Sequence, residues 1–168
     1  ANVCAADGDF GESPLLRQCV AGLLETMTEC TLLFAPHANS YRRLQPGSFA
    51  PTAIAWGVNN RTAAIRIPAG RADASPYFLL AAVLAGMHRG ITQALHAPAP
   101  IEDNAYGQDL TAIRSDWYGA IANYRRSGLI ADYLGPQMHK LFGIVKQAEF
   151  DPFHAQIQPL EYQWYLRG

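Results

Sequence analysis

From Cys30 to Ala72 the chain contains no aspartate and no glutamate. With 14 acids in 168 residues, an even spread would put about three to four there. The same stretch has no lysine, yet it carries Arg42, Arg43, Arg61, Arg66 and Arg71. Charge is scarce overall: Asp, Glu, Lys and Arg make up 16%, and the net charge is −1. That balance gives no global case for nucleic acid or an anionic membrane as partner. The longest mainly apolar run, "YFLLAAVLAGM", is too short to span a bilayer and predicts a buried helix. Cys4, Cys19 and Cys30 form no metal or redox spacing, which predicts free thiols in a cytoplasmic protein.

The opening "ANVCAADGDF" has no initiator Met, no basic n-region and no apolar h-region. It is not a signal peptide and reads as the interior of a longer chain. There is no P-loop, no G-x-S-x-G and no dinucleotide fingerprint. His37, His88, His96, His139 and His154 lack ligand spacing, and Asp7, Asp9 and Glu12 make only an incomplete calcium-loop pattern. No metal ligands are assigned.

What is present suits one domain with a real core: 49% of the residues are hydrophobic. Ser13-Pro14 caps a helix in which Leu16, Val20, Leu23, Leu24 and Met27 recur at 3.6-residue spacing. Residues 35–52 are turn-rich. Two β-like runs follow, Thr52–Val58 and Thr62–Ile67, separated by Asn59-Asn60 as a tight turn or joined as one strand. Ser75-Pro76 launches a second helix from Tyr77 to about Leu95, expected to be buried on nearly all sides. A third covers about 109–126, with Leu110, Ile113, Trp117, Ile121 and Tyr124 on one face. Helical pieces fill 129–166, interrupted at Gly135-Pro136, Pro152 and Pro159. The fold class is α+β: a small antiparallel sheet with several packed helices. The low charge fraction also predicts that sister subunits cover part of the surface.

Arginine is the residue for planar, bidentate recognition of carboxylate and phosphate. An arginine on a sheet without an acid partner needs open solvent, an acid from elsewhere in the fold, or an anionic ligand. Taken as a set, the five arginines favour an anion site. Nucleic acid is a poor fit, because lysine and aromatic-basic interleaving are missing.

The stretches "NSYRRLQPGSFAPTAIAWGVNNRTAAIRIP" and "ASPYFLLAAVLAGMHRGI" resemble the C-terminal catalytic domain of the glutamine synthetase superfamily. The shared pattern is N-S-Y-[KR]-R, a P-G turn, A-P, N-R-[ST]-A-x-x-R-[IV]-P, then [NS]-P-Y and a buried helix. The ending "LEYQWYL" resembles the γ-glutamylpolyamine synthetase branch. The resemblance covers essentially residues 1–168, as the C-terminal part of a catalytic domain without its N-terminal domain and metal-binding strands. It implies ATP-dependent joining of glutamate's γ-carboxylate to an amine through a γ-glutamyl phosphate, with magnesium or manganese bridging phosphates. It also implies a homo-oligomeric ring assembly.

By this resemblance Arg43 grips the glutamate carboxylate, Arg61 lies on the transferred phosphoryl group as the catalytic arginine, and Arg66 contacts ATP phosphates. Arg42 and Arg71 match no functional position. Three departures follow. Phe49 stands where glutamine synthetases carry a glutamate that binds ammonium, which favours a larger organic amine. The connection "IPAGRADASPY" lacks a family segment bearing an E-x-R arrangement. The family's H-x-H strand is not in the chain, so the chain alone is expected to be inactive. The alternatives are a plain glutamine synthetase and a non-catalytic anion-binding or assembly remnant.

Overall fold

The structure is a computed structural model that describes residues 12–48, 50–58, 60–67 and 75–165. Helix α1 spans Pro14–Phe34, and the Ser13 hydroxyl caps it by accepting from the Leu16 amide at 3.1 Å. Its apolar stripe buries Cys19, Val20, Leu24, Met27 and Cys30, as the 3.6-residue spacing requires. Helix α2, Ala38–Arg43, lies in the stretch expected to hold only turns. Its Tyr41 and the following Leu44 are buried three residues apart, on one face of the short helix.

Helix α3, Pro76–Thr92, begins where Ser75-Pro76 placed it, although the Ser75 hydroxyl makes no cap bond. It packs on α1 through glycines. A Cβ on Gly22 would run into the Gly86 carbonyl and the Gly90 backbone, and one on Gly90 into the Gln18 carbonyl. Burial on nearly all sides does not hold. Only Ala82, Ala85, Gly86 and Gly90 are buried, while Tyr77, Leu80, Leu84 and Ile91 are exposed. The small residues let the backbones touch, with Tyr77, Leu80, Leu84 and Ile91 left on the exposed side.

Strands β1, Ala53–Val58, and β2, Ala63–Ile67, form a two-stranded sheet. The pairing is parallel, not antiparallel: Ala53 lies opposite Ala63, Trp56 opposite Ile65 and Gly57 opposite Arg66, with an irregularity between Ala53 and Trp56. The hairpin expectation rested on the short connection. That connection is instead fastened to another part of the chain. The Asn60 side-chain amide donates to the Ile101 and Asp103 carbonyls, and Thr62 Oγ1 accepts from the Ala105 amide.

The other edge of β1 is covered by 98–113. Ile101 N donates to Trp56 O, Ile54 N to Thr111 O and Ile113 N to Thr52 O. Residues 109–115 are therefore extended rather than helical, and α4 starts only at Trp117 (Trp117–Arg126), capped by Asp116. Ile113 is buried all the same, from this extended segment. Helix α5 is Gly128–Leu134, with Ser127 as its cap. Gly135, at φ +80°, ends it and hands over to Pro136 at the start of α6, Pro136–Ala155. A positive φ favours glycine there because it has no Cβ to clash.

Pro152 does not interrupt α6. It lies inside the helix with only three helical residues after it, so little helix is at stake. Pro159 opens α7, Pro159–Tyr165, whose described residues are all exposed. The larger core cluster gathers Cys30, Leu32, Leu33, Tyr41, Trp117, Ile121, Tyr124 and Ile130, and a smaller one holds Val20, Leu24 and Trp56.

Candidate functional site

The arginines occupy three different local settings. Arg42 and Arg43 close α2 and are exposed. The chain then turns through Gln45–Ser48, with Gly47 at φ +81°. Ser48 Oγ donates to the Arg43 and Gln45 carbonyls, both at 2.6 Å. The hydroxyl thus reaches the Arg43 carbonyl, one of those that the end of a helix leaves without a helical partner. The turn is tied down beyond this by Tyr106, whose hydroxyl donates to the Ala50 carbonyl at 2.8 Å. Phe49 lies outside the described residues, as does Arg71.

Arg61 stands in the turn before β2, not in the strand, and is exposed. Asn60 shapes that turn. Its Oδ1 accepts from the Thr62 amide at 3.0 Å and the Thr62 hydroxyl at 2.7 Å, while its amide holds the 101–103 loop. Arg66 lies on β2, half-buried. Five residues apart on one regular strand, the two guanidiniums would point to opposite faces. Placing Arg61 in the turn removes that constraint.

Among the described residues neither Arg43 nor Arg61 has a side-chain hydrogen bond or ion pair. Arg42 differs: it donates to Asn39 Oδ1 at 2.9 Å and lies over the Phe153 ring at 5.9 Å. The ion pairs fall elsewhere, as in Arg17–Glu12 and Arg89–Glu25. The acid-free stretch therefore leaves two guanidiniums uncompensated at the surface.

A hollow of about 350 Å³ opens between α1, α3 and β2, lined by residues such as Leu16, Leu23, Met27, Leu79 and Val83. Among the described residues Arg66 is the charged one in its lining, and Leu44, next to Arg43, also lines it. The hollow thus joins Arg66 to the end of α2. Arg61 does not line it.

The remaining chemistry-bearing residues are engaged in packing. Burial pushes the Cys30 thiol up to about 12, against a lowering hydrogen bond with Thr26, so it carries no thiolate at neutral pH. His139 Nε2 faces the Tyr124 carbonyl at 2.7 Å, and His88 Nδ1 faces the Tyr133 hydroxyl at 2.8 Å. His154 stacks on Phe150. No group of three His, Cys, Asp or Glu among the described residues could hold a metal ion. A divalent metal does not fit the described donor set. Phosphate or carboxylate does fit the chemistry of Arg43 and Arg61. Reading the sequence missed α2 and the Arg42–Phe153 contact. The signal for α2 was present, in Ala38, Tyr41 and Leu44 at three-residue spacing.

Fold and site together define an α+β domain that presents free arginines on an acid-poor stretch. The profile described as glutamine synthetase, catalytic domain, matches residues 1–165. The chain belongs to that family. Gamma-glutamylputrescine synthetase of Escherichia coli is 33% identical, over 97% of this chain and 37% of its own length. Gamma-glutamylethanolamide synthetase of Streptomyces coelicolor is 36% identical, over 94% of this chain and 36% of its own length. Glutamine synthetase of Thermotoga maritima is 31% identical, over 95% and 41%. Among solved structures, apo GmaS superposes with a TM-score of 0.89 at 26% identity, covering 100% of this chain and 42% of that one. A GmaS/ADP complex gives 0.90 at 25%, covering 100% and 43%. The chain thus spans well under half the length of these relatives. The match with the Escherichia coli protein runs over 175 positions, more than the 168 residues here, so that protein holds residues within the matched span that this chain lacks.

Proposed function

We propose that this chain is the arginine-bearing, C-terminal part of the catalytic domain of an ATP-dependent ligase that joins the γ-carboxylate of glutamate to an organic amine. The observation that carries the reading is the pair of unpartnered guanidiniums, Arg43 and Arg61, on a stretch without a single acid. The names of two relatives, a γ-glutamylputrescine and a γ-glutamylethanolamide synthetase, support an amine rather than ammonium.

In this reading Arg43 holds a carboxylate of glutamate through a two-pronged contact. The γ-carboxylate oxygen attacks the γ-phosphorus of ATP, and the bond from phosphorus to the bridging oxygen breaks, releasing ADP. Arg61 lies on the phosphoryl group in flight and spreads its charge, and Arg66 takes the remaining phosphates. The amine nitrogen then attacks the acyl carbon, phosphate leaves, and the nitrogen loses a proton. Phe49 lines the amine pocket with an apolar wall. Magnesium or manganese would offset the charge of the phosphates, and residues outside those described would hold it.

The large apolar side chains left exposed on α6 and α7, among them Leu141, Ile144, Trp164 and Tyr165, support a homo-oligomer; a cytoplasmic role in polyamine or nitrogen metabolism goes with the proposed reaction. A second reading, a non-catalytic anion-binding remnant, is favoured by the lack of a metal-holding group among the described residues and by the residues that the Escherichia coli protein holds in excess. The test is ADP release by the native gene product with ATP, glutamate and putrescine, ethanolamine or ammonium. Turnover with an organic amine is expected. Turnover with ammonium alone would sink the amine reading, and none with any amine would leave the remnant.

A further inference from the structure

Helix α2 has six residues, and its N-terminal position, His37, makes no side-chain cap bond. A helix that short has no stability of its own. What holds it is therefore what it touches. Tyr41 and Leu44 anchor it inward, and Ser48 closes its C-terminal end. Those contacts leave the outer side to Arg42. Its guanidinium donates to Asn39 Oδ1 one turn back and lies 5.9 Å from the centroid of the Phe153 ring. Phe153 belongs to the last turn of α6, more than a hundred residues away in sequence, and meets Trp117 at the start of α4 edge-on at 5.8 Å. Trp117 is itself buried and edge-on to Phe150 at 5.5 Å. A run of aromatic contacts thus ends under Arg42.

We propose that Arg42 and Phe153 form a bracket that positions Arg43, so that affinity for the substrate carboxylate depends on the last turn of α6. The inference rests on the reading of Arg43 as the carboxylate-binding residue. Arg42 matches no functional position by resemblance, and here it acts through its neighbour rather than on substrate. The leverage is large: rolling a helix by about 20° moves side-chain ends near its surface by about 2 Å. Misplacement on that scale is costly for a two-pronged contact.

The test is steady-state kinetics of the native gene product with R42A, F153A, the double variant and R43A. Loss of an exposed cation–π contact should raise KM for glutamate about two- to fivefold in each single variant. KM for ATP and kcat should stay near wild type. The double variant should be no worse than the worse single one, because either change removes the same contact. F153W, with the stronger ring, should restore KM. Unchanged KM for glutamate in R42A and F153A, with R43A strongly impaired, would overturn the bracket. So would KM for glutamate and ATP rising together. Amide exchange over residues 38–44 reads the bracket without reference to substrate. It should quicken in F153A, and no change there overturns the proposal. If R43A itself leaves KM for glutamate intact, the reading of Arg43 falls first and the bracket's role falls with it.

Discussion

Gly22 of α1 faces the Gly86 carbonyl of α3 so closely that no side chain fits between them. Alanine is the better helix former by up to about 1 kcal/mol, so propensity alone predicts that Gly22→Ala stabilises. The close approach reverses the sign. A Cβ at Gly22 meets backbone, not the movable end of a side chain, and α1 and α3 must separate. G22A should lower stability by about 1–3 kcal/mol in urea or thermal unfolding. An unchanged or raised midpoint would refute this packing.

Buried Cys30 makes stability depend on alkaline pH. Burial raises its thiol from 9.0 to about 12. Between those values the unfolded chain loses the proton and the folded chain keeps it. Stability contributed by Cys30 is thus intact below about pH 9 and is lost as pH rises toward about 12, by up to about 1.4 kcal/mol per pH unit. Tyr124, also pushed up to about 12 by burial and then by Cys30, adds to the fall above pH 10. Denaturant melts of wild type and C30A across pH 8–11 should show a shallower decline in the variant, and equal slopes would count against it.

The Tyr41 hydroxyl is buried with no hydrogen-bond partner among the described residues, and burial, followed by the charge of Asp116, raises its pKa. Such a group costs free energy that a phenyl ring does not. Tyr41→Phe should therefore leave stability unchanged or raise it by about 1 kcal/mol. A fall of that size would mean that the hydroxyl has a partner, such as an enclosed water.

Asn60 shapes the turn that holds Arg61, through its bonds to Ile101, Asp103 and Thr62. Asn60→Ala should cost about 1–3 kcal/mol of stability. In the native gene product it should also lower kcat by roughly tenfold or more through a displaced Arg61. Asn60→Asp keeps the acceptor side and should fall between. An N60A protein with normal kcat would separate Arg61 from the chemistry.

Sequence reading succeeded where the determinants are local. Ser13-Pro14, Ser75-Pro76 and Gly135-Pro136 marked helix boundaries because caps and φ preferences act within one turn. The α1 stripe was legible for the same reason. The failures are non-local. Leu110 and Ile113 mimic a helical face, yet Thr111 O and Ile113 N pair their segment with the Thr52–Ile54 end of β1. Apolar residues all around α3 suggested full burial, yet glycine contacts chose the buried side.

The sequence by itself determined the helix starts, the acid-free arginine stretch and, through long motifs, the family. Each of these is written in neighbouring residues. Only the tertiary structure decided strand direction, which depends on Asn60 reaching carbonyls some forty residues away. It also decided that Arg43 and Arg61 stand unpaired while Arg42 leans on Phe153. Partnership is a distance in space, and no run of adjacent letters sets which acid or ring a guanidinium will meet.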